Sequence, residues 1–183
     1  MNIPIATIFP SVHCSSAAIY DLSWPSFYEY LKQVKSYTNK INSPLIKMAN
    51  FSDKKSVNNS LRYDANLIEV WGLEGDYDGE IISIQAACKL LEDHGIRAIL
   101  YSSWSSTLEK PRWRVLAPLS KSMPKESHYG LVARLNGALG GILARESFTM
   151  AQGYFIGKNP TQPYTCICTF GDPEAGQCID LLD

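Results

Sequence analysis

Two carboxylates two residues apart, Asp76 and Asp78, lie in the segment Glu74-Gly75-Asp76-Tyr77-Asp78-Gly79-Glu80. On an extended strand, residues two apart point to the same face. The two groups would then project together and repel unless a cation lies between them. Hard oxygen ligands paired this way suit Mg²⁺ or Mn²⁺. An ion held there could activate an attacking hydroxyl and neutralise leaving phosphates in a phosphoryl transfer. A Gly/Asp-rich turn bracketed by Gly75 and Gly79 is the competing reading.

A basic counterpart follows in Lys110-Pro111-Arg112-Trp113-Arg114-Val115. Arg112 and Arg114 share one face of a strand, with Trp113 and Val115 on the other. Two guanidinium forks suit a triphosphate or a nucleic-acid backbone, and Lys110 can join them. Ordinary surface salt bridging explains the same residues without a ligand. Trp104, in the loop before this strand, is the candidate for stacking a base. Trp71 and Trp113 are assigned to the core.

The elements that must position these groups follow from local pattern. Ser23 before Trp24-Pro25 reads as a helix N-cap, with Phe27, Tyr30, Leu31 and Val34 at helical spacing. Residues 36–63 are polar and read as loop-rich. Leu67 to Trp71 reads as a strand that Gly72 to Gly79 continues or closes. An amphipathic helix over Glu80–Asp93 ends at Gly95. Ile96–Tyr101 and Arg112–Leu119 read as strands. Pro124 opens a helix through Leu139, stopped by Gly140-Gly141, and late strands are expected at 153–156 and 164–170. This order gives an α+β fold with helices packed on a largely antiparallel sheet.

The 183 residues suffice for one ordinary domain, taken as 1–183, and 45% apolar with 19% charged residues is globular composition. No apolar run approaches the roughly 20 residues of a membrane span, and the start lacks the basic region of a secretory signal. Five cysteines, an odd number, fit reduced thiols in a cytoplasmic protein. Net charge is -1, but residues 63–108 hold two Lys/Arg against eight acids. Residues 1–62 hold seven against three, and 109–158 eight against three. An acidic centre between basic flanks suits a metal site beside a phosphate-binding surface, although solvated faces give the same totals. Cys166-x-Cys168 with Cys178 lacks zinc spacing and fits alternating strand positions. No phosphate loop of the Gly-x-x-x-x-Gly-Lys type is present, so ATP hydrolysis of that class is not expected.

Taken in order, Asp-x-Asp, a helix, a strand ending in Tyr101-Ser102-Ser103, Lys110-Pro111-Arg112-Trp113-Arg114-Val115 and Pro118-Leu119-Ser120 resemble known domains. These are the primase-polymerase domains of plasmid and phage replication proteins, in the archaeo-eukaryotic primase superfamily. Leu135-Asn136-Gly137-Ala138-Leu139-Gly140-Gly141 and the stretch Glu146 to Gly157 look similar as well. The resemblance spans about 66–157.

It implies a primase-polymerase core with an RRM-like, largely antiparallel sheet carrying the acids. The implied activity is template-directed nucleotidyl transfer with Mg²⁺ or Mn²⁺, in replication of a plasmid, phage or other mobile element. Asp76 and Asp78 match the family's metal-binding pair, and Glu146 is the candidate third acid. Arg112 and Arg114 match its basic strand. Single-stranded DNA, nucleoside triphosphates and a separate helicase or other replication protein are the implied partners. At Ser106 the family carries a histidine that contacts the incoming phosphates. A serine donates one hydrogen bond and no charge. His13, His94 and His128 lie outside the motif; His94 is expected at a helix end and His128 exposed on a helix. Two alternatives stay open: a catalytically degenerate module of the same fold that binds nucleic acid or a replication or defence protein, and a metal-dependent nuclease.

Overall fold

The computed structural model describes residues 5–21 and 23–182. Met1–Pro4, at the head of the stretch read for a secretory signal, lie outside them. In chain order β1 (Ile5–Phe9) and β2 (Ala18–Asp21) form a hairpin, followed by α1 (Trp24–Lys32), β3 (Leu45–Lys47), β4 (Ala49–Phe51) and β5 (Leu67–Tyr77). Then come α2 (Ile84–Asp93), β6 (Ile99–Ser102), β7 (Trp113–Pro124), α3 (His128–Ala138), β8 (Tyr154–Phe155) and β9 (Cys166–Cys168). One sheet has the order β2-β1-β3-β8 and the other β4-β5-β7-β6-β9, and every pairing between strands is antiparallel. The expected α+β class, helices on a largely antiparallel sheet, is what the chain adopts.

The five-stranded sheet is covered on both faces. Leu73 and Tyr77 of β5, Leu100 of β6 and Trp113 and Val115 of β7 pack with Ala87 and Leu91 of α2 and Val132 and Leu135 of α3. On the opposite face Ile99, Tyr101 and Leu116 pack with Phe27 and Leu31 of α1 and with Ala6, Ile8 and Ile46 of the four-stranded sheet. Trp113 is core as expected, whereas Trp71 is only half-buried and donates its indole N–H to Glu69.

Several boundaries differ from expectation for identifiable reasons. The second helix begins at Ile84 rather than Glu80. Glu80 has φ 60°, which no helix accommodates, and the N–H groups of Ile81 and Ile82 are both donated to the Tyr77 hydroxyl. Ser83 then caps the helix by accepting from the Ala86 N–H. After Pro124 a 3-10 turn over Lys125–Ser127 precedes α3. The loop-rich reading of 36–63 misses β3 and β4. At three residues each they are too short to show a period, and β3 is buried throughout, so it lacks alternation. Strands β1 and β2 were likewise not anticipated. Among the described residues no helix is long and apolar enough to cross a membrane.

Candidate functional site

The face of the five-stranded sheet that meets the four-stranded sheet carries a row of charge. Alternation along β5 sends Leu73 and Tyr77 toward the helices and Glu74 and Asp76 toward the other sheet. Gly75 separates the two acids. A Cβ there would come within 2.7 Å of Leu143 Cδ1 and 2.9 Å of Val115 Cγ1, so only glycine lets this strand lie so close to its cover.

Asp76 stands directly opposite Arg114 on β7, and Arg114 is in turn opposite Tyr101 on β6. The Arg114 Nε donates to Asp76 Oδ1 at 2.8 Å, and its Nη1 donates to the Phe155 carbonyl at 2.6 Å. The guanidinium is 5% exposed and Asp76 15%. Burial alone would weaken the Arg114 charge, but Asp76, together with Tyr101 and Tyr154, outweighs it and holds the guanidinium above its ordinary value. One step further out, Arg112 Nη1 lies 3.5 Å from Asp78 Oδ1, and Asp78 is half exposed. Arg112 is also bonded to Glu80 through Nε at 3.0 Å, and Lys110 Nζ reaches Glu80 Oε2 at 3.0 Å. Arg112 first, then Lys110, hold the Glu80 carboxyl below its usual range.

Ser106 is buried, and its Oγ accepts the Arg112 backbone N–H at 3.1 Å, which fixes the loop from Ser103 to the start of β7. Ser106 and Arg112 line a cavity of about 160 Å³ with Ser83 and Gln85 at the start of α2. Trp104 is half-buried and its indole N–H is donated to the Tyr37 carbonyl at 3.0 Å. Glu146 is exposed in a 3-10 turn, Arg145–Phe148, that runs beside β5. Its neighbour Ser147 accepts the Asp76 N–H at 3.0 Å, and Ala144 donates to the Asp76 carbonyl. Glu146 is not gathered with Asp76 and Asp78 into a three-carboxylate cluster, for among the described residues no three His, Cys, Asp or Glu side chains are grouped to hold a metal. The cysteines, all free, form no such group either.

Mg²⁺ commonly keeps several waters and takes only one or two protein carboxylates, the remaining oxygens coming from substrate phosphates. Asp76 and Asp78 fit that donor set. Each has one oxygen facing an arginine, Oδ1, and an Oδ2 with no hydrogen bond or salt bridge among the described residues. The two carboxylates fit an ion that arrives with phosphates better than one caged by protein alone.

Two charged features near the site lie outside the sequence motifs. Lys40, in a 3-10 turn before β3, is half-buried with its ammonium 5.3 Å from the centre of the Phe155 ring. Burial and then the Arg114 guanidinium lower its proton affinity, opposed by Asp76 and Asp78. It forms no salt bridge among the described residues. The 36–63 stretch hides it among polar residues; only the fold carries it to the arginines.

The second feature is a buried triad. Lys47 of β3 donates to Glu74 Oε2 at 2.6 Å and lies 3.2 Å from His128 Nε2, while the Met48 N–H is donated to Glu74 Oε1. The triad ties the four-stranded sheet to β5 two residues before Asp76. His128 is therefore not exposed as expected but 1% accessible, because α3 begins at this residue and turns it inward. Burial first, then the Lys47 charge, push the imidazole down to about 3, so it is neutral and accepts from the ammonium. In the unfolded chain it titrates near its ordinary value of about 6.5. Between these values the unfolded state binds a proton that the folded state refuses, so stability falls as pH drops from about 6.5 toward 3. The slope expected from this one group is about 1.4 kcal/mol per pH unit. Urea melts across that range should show it, and His128→Gln should flatten it.

No protein-family profile matches the chain, and no curated protein does. Among solved structures the chain is similar to the AEP domain of the primase-polymerase of cyanophage S-2L, with a TM-score of 0.50. The match covers 93% of this chain and 83% of that one at 11% sequence identity. At that identity the likeness is one of fold, and the fold is that of the primase-polymerase core.

Proposed function

We propose that the chain is a metal-dependent nucleotidyltransferase that synthesises or extends strands on single-stranded DNA, in replication of a plasmid, phage or other mobile element. Residues 1–183 act as one catalytic unit in this reading. The observation that carries it is the pair of neighbouring acid–arginine contacts, Asp76 with Arg114 and Asp78 with Arg112, on one sheet face of this fold. Lys110 and Lys40 stand beside the same pairs. A site of this kind offers carboxylates to a cation and cations to a triphosphate within one contact shell.

Asp76 and Asp78 would hold Mg²⁺ or Mn²⁺, with Glu146 reaching in only if its turn moves. Bound there, the ion neutralises phosphate charge and acidifies the attacking hydroxyl. The chain's own groups bind and orient. Arg112 and Lys110 exchange Glu80 for phosphate oxygens. Arg114, fixed by the Phe155 carbonyl, keeps Asp76 aligned. The Ser106 hydroxyl, whose oxygen already accepts from the Arg112 N–H, donates a hydrogen bond to a phosphate oxygen. Trp104 offers a ring face to a base at the rim.

Lys40 supplies the positive charge that Ser106 lacks. Charge-assisted bonds contribute about 1.5–3 kcal/mol, so Lys40→Met should weaken nucleotide binding roughly tenfold or more. Titration of nucleoside triphosphate with Mn²⁺ measures it; unchanged affinity would remove Lys40 from the site.

Incorporation of labelled nucleotide on single-stranded DNA, with and without primer, tests the function. Activity that survives Asp76→Ala combined with Asp78→Ala rejects the site. A second reading, a degenerate module that binds without synthesis, draws on one observation: the acids and arginines already neutralise one another, and Ser106 is uncharged. It requires no incorporation with any divalent metal while DNA or protein binding persists. Strand cleavage without added nucleotide would point instead to a nuclease.

A further inference from the structure

A cavity of about 560 Å³ lies away from the acid–arginine pairs, beside the β1–β2 hairpin and the end of α1. Its apolar floor is Ile8, Val34 and Ile156, and its walls include Tyr20, Tyr30 and Tyr37. Among the described residues no carboxylate lines it, and Lys35 stands exposed at its edge. The rings of Tyr20 and Tyr30 lie 5.5 Å apart, tilted by 41°. None of the three tyrosine hydroxyls makes a hydrogen bond among the described residues. Burial, then the neighbouring Tyr20 and Tyr37, push the Tyr30 phenol up to about 12, so its hydroxyl stays a neutral donor and acceptor.

The cavity is joined to the proposed active site by fixed backbone. Tyr37 donates to the Lys158 carbonyl and Lys158 donates to the Lys35 carbonyl, both at 2.9 Å. The Tyr37 carbonyl takes the Trp104 indole N–H, and Trp104 belongs to the loop in which Ser106 holds Arg112. Tyr37 is also three residues before Lys40. From the arginines past Trp104 to the tyrosines, Lys40 near Arg114 and Lys35 at the cavity edge supply cations, with the Trp104 ring between them and the tyrosine rings beyond. Alternating charge for phosphates and rings for bases is the chemistry of single-strand binding.

We infer that the tyrosine cavity receives an unstacked base of the DNA strand leaving the active site, with Lys35 on the adjoining phosphate; this rests on the template-directed function proposed above. The volume falls in the range of about 300–1,000 Å³ that holds small ligands. The three free hydroxyls can meet any base edge, so the site is tolerant of sequence.

The test uses the whole chain and a fluorescein-labelled oligothymidylate, read by anisotropy. Tyr30→Leu with Tyr37→Leu is expected to weaken strand binding roughly tenfold or more, while binding of deoxythymidine triphosphate with Mn²⁺ is unchanged. Because the double variant could disturb α1, the wild-type chain is also photocrosslinked to an oligonucleotide containing 5-iododeoxyuridine. Crosslinks mapped to Tyr20, Tyr30 or Tyr37 support the assignment. Crosslinks confined to Trp104 or elsewhere overturn it. So does competition by free thymidine as strong as by the oligonucleotide, which would make the cavity a nucleoside site. Strand binding that persists in the variants with nucleotide incorporation intact rejects the cavity alone. Absence of both strand binding and incorporation in the wild-type chain rejects the proposed function as well.

Discussion

Replacing Glu74 by alanine is expected to destabilise the protein by about 3–5 kcal/mol, the usual loss when one partner of a buried ion pair is removed. Lys47 and Glu74 are 1% and 0% exposed, so neither charge can turn to water. Without Glu74 the Lys47 ammonium would face only the His128 nitrogen, and the Met48 N–H would lose its acceptor. The effect on a chain of this size is a fall in Tm of roughly 10 °C. The double change Lys47→Met with Glu74→Leu is expected to recover most of the loss, since an apolar pair of similar volume is often as stable as the buried ions. Urea denaturation of the two variants measures both. A cost below about 1 kcal/mol for Glu74→Ala would mean that water reaches Lys47.

Asp78→Asn and Asp76→Asn are expected to abolish nucleotide incorporation, with losses of roughly two to three orders of magnitude or more, the scale seen when one preorganised charge contact is removed from a reacting centre. Their effects on stability should separate. Asp78 is half exposed, so its loss should change stability by no more than about 0.5 kcal/mol. Asp76 pairs with Arg114, which is 5% exposed and has no other carboxylate partner among the described residues. Its loss should cost about 3 kcal/mol, for the guanidinium would be left buried without a counter-charge. Parallel measurement of incorporation and thermal unfolding checks the pair. Loss of activity in Asp76→Asn alone, with Asp78→Asn fully active, would reduce the acid pair to a structural contact.

The sheet and its chemistry were legible in the sequence to different depths. Alternation in Leu67–Trp71 and Arg112–Leu119 announces two central strands because each has a helix-covered face. The Asp-x-Asp and Arg-x-Arg spacings place each pair on one face by the two-residue period alone. That the acids and arginines would lie side by side was not legible, since register between β5 and β7 is set by contacts 38 residues apart in the chain. Strands β1 to β4 escape a sequence reading because none alternates over enough residues: β3 and Ala6–Phe9 of β1 are buried throughout, β2 is mostly exposed, and β4 has three residues. Lys40 and Lys47 both fall in the segment read as loop-rich, Lys40 among polar residues and Lys47 between Leu45-Ile46 and Met48-Ala49. One ends beside the arginines at an open site, the other fully enclosed against Glu74. His128 lies on the buried face because α3 begins at that residue, directly after the turn over Lys125–Ser127 that follows Pro124.

The most direct test is a crystal grown with Mn²⁺ and a non-hydrolysable deoxynucleoside triphosphate. Anomalous density between Asp76 and Asp78, with phosphates against Arg112, Lys110 and Lys40, is the expected result. Mn²⁺ bound elsewhere, or phosphates away from these residues while the Asp76–Arg114 and Asp78–Arg112 contacts persist, would contradict it.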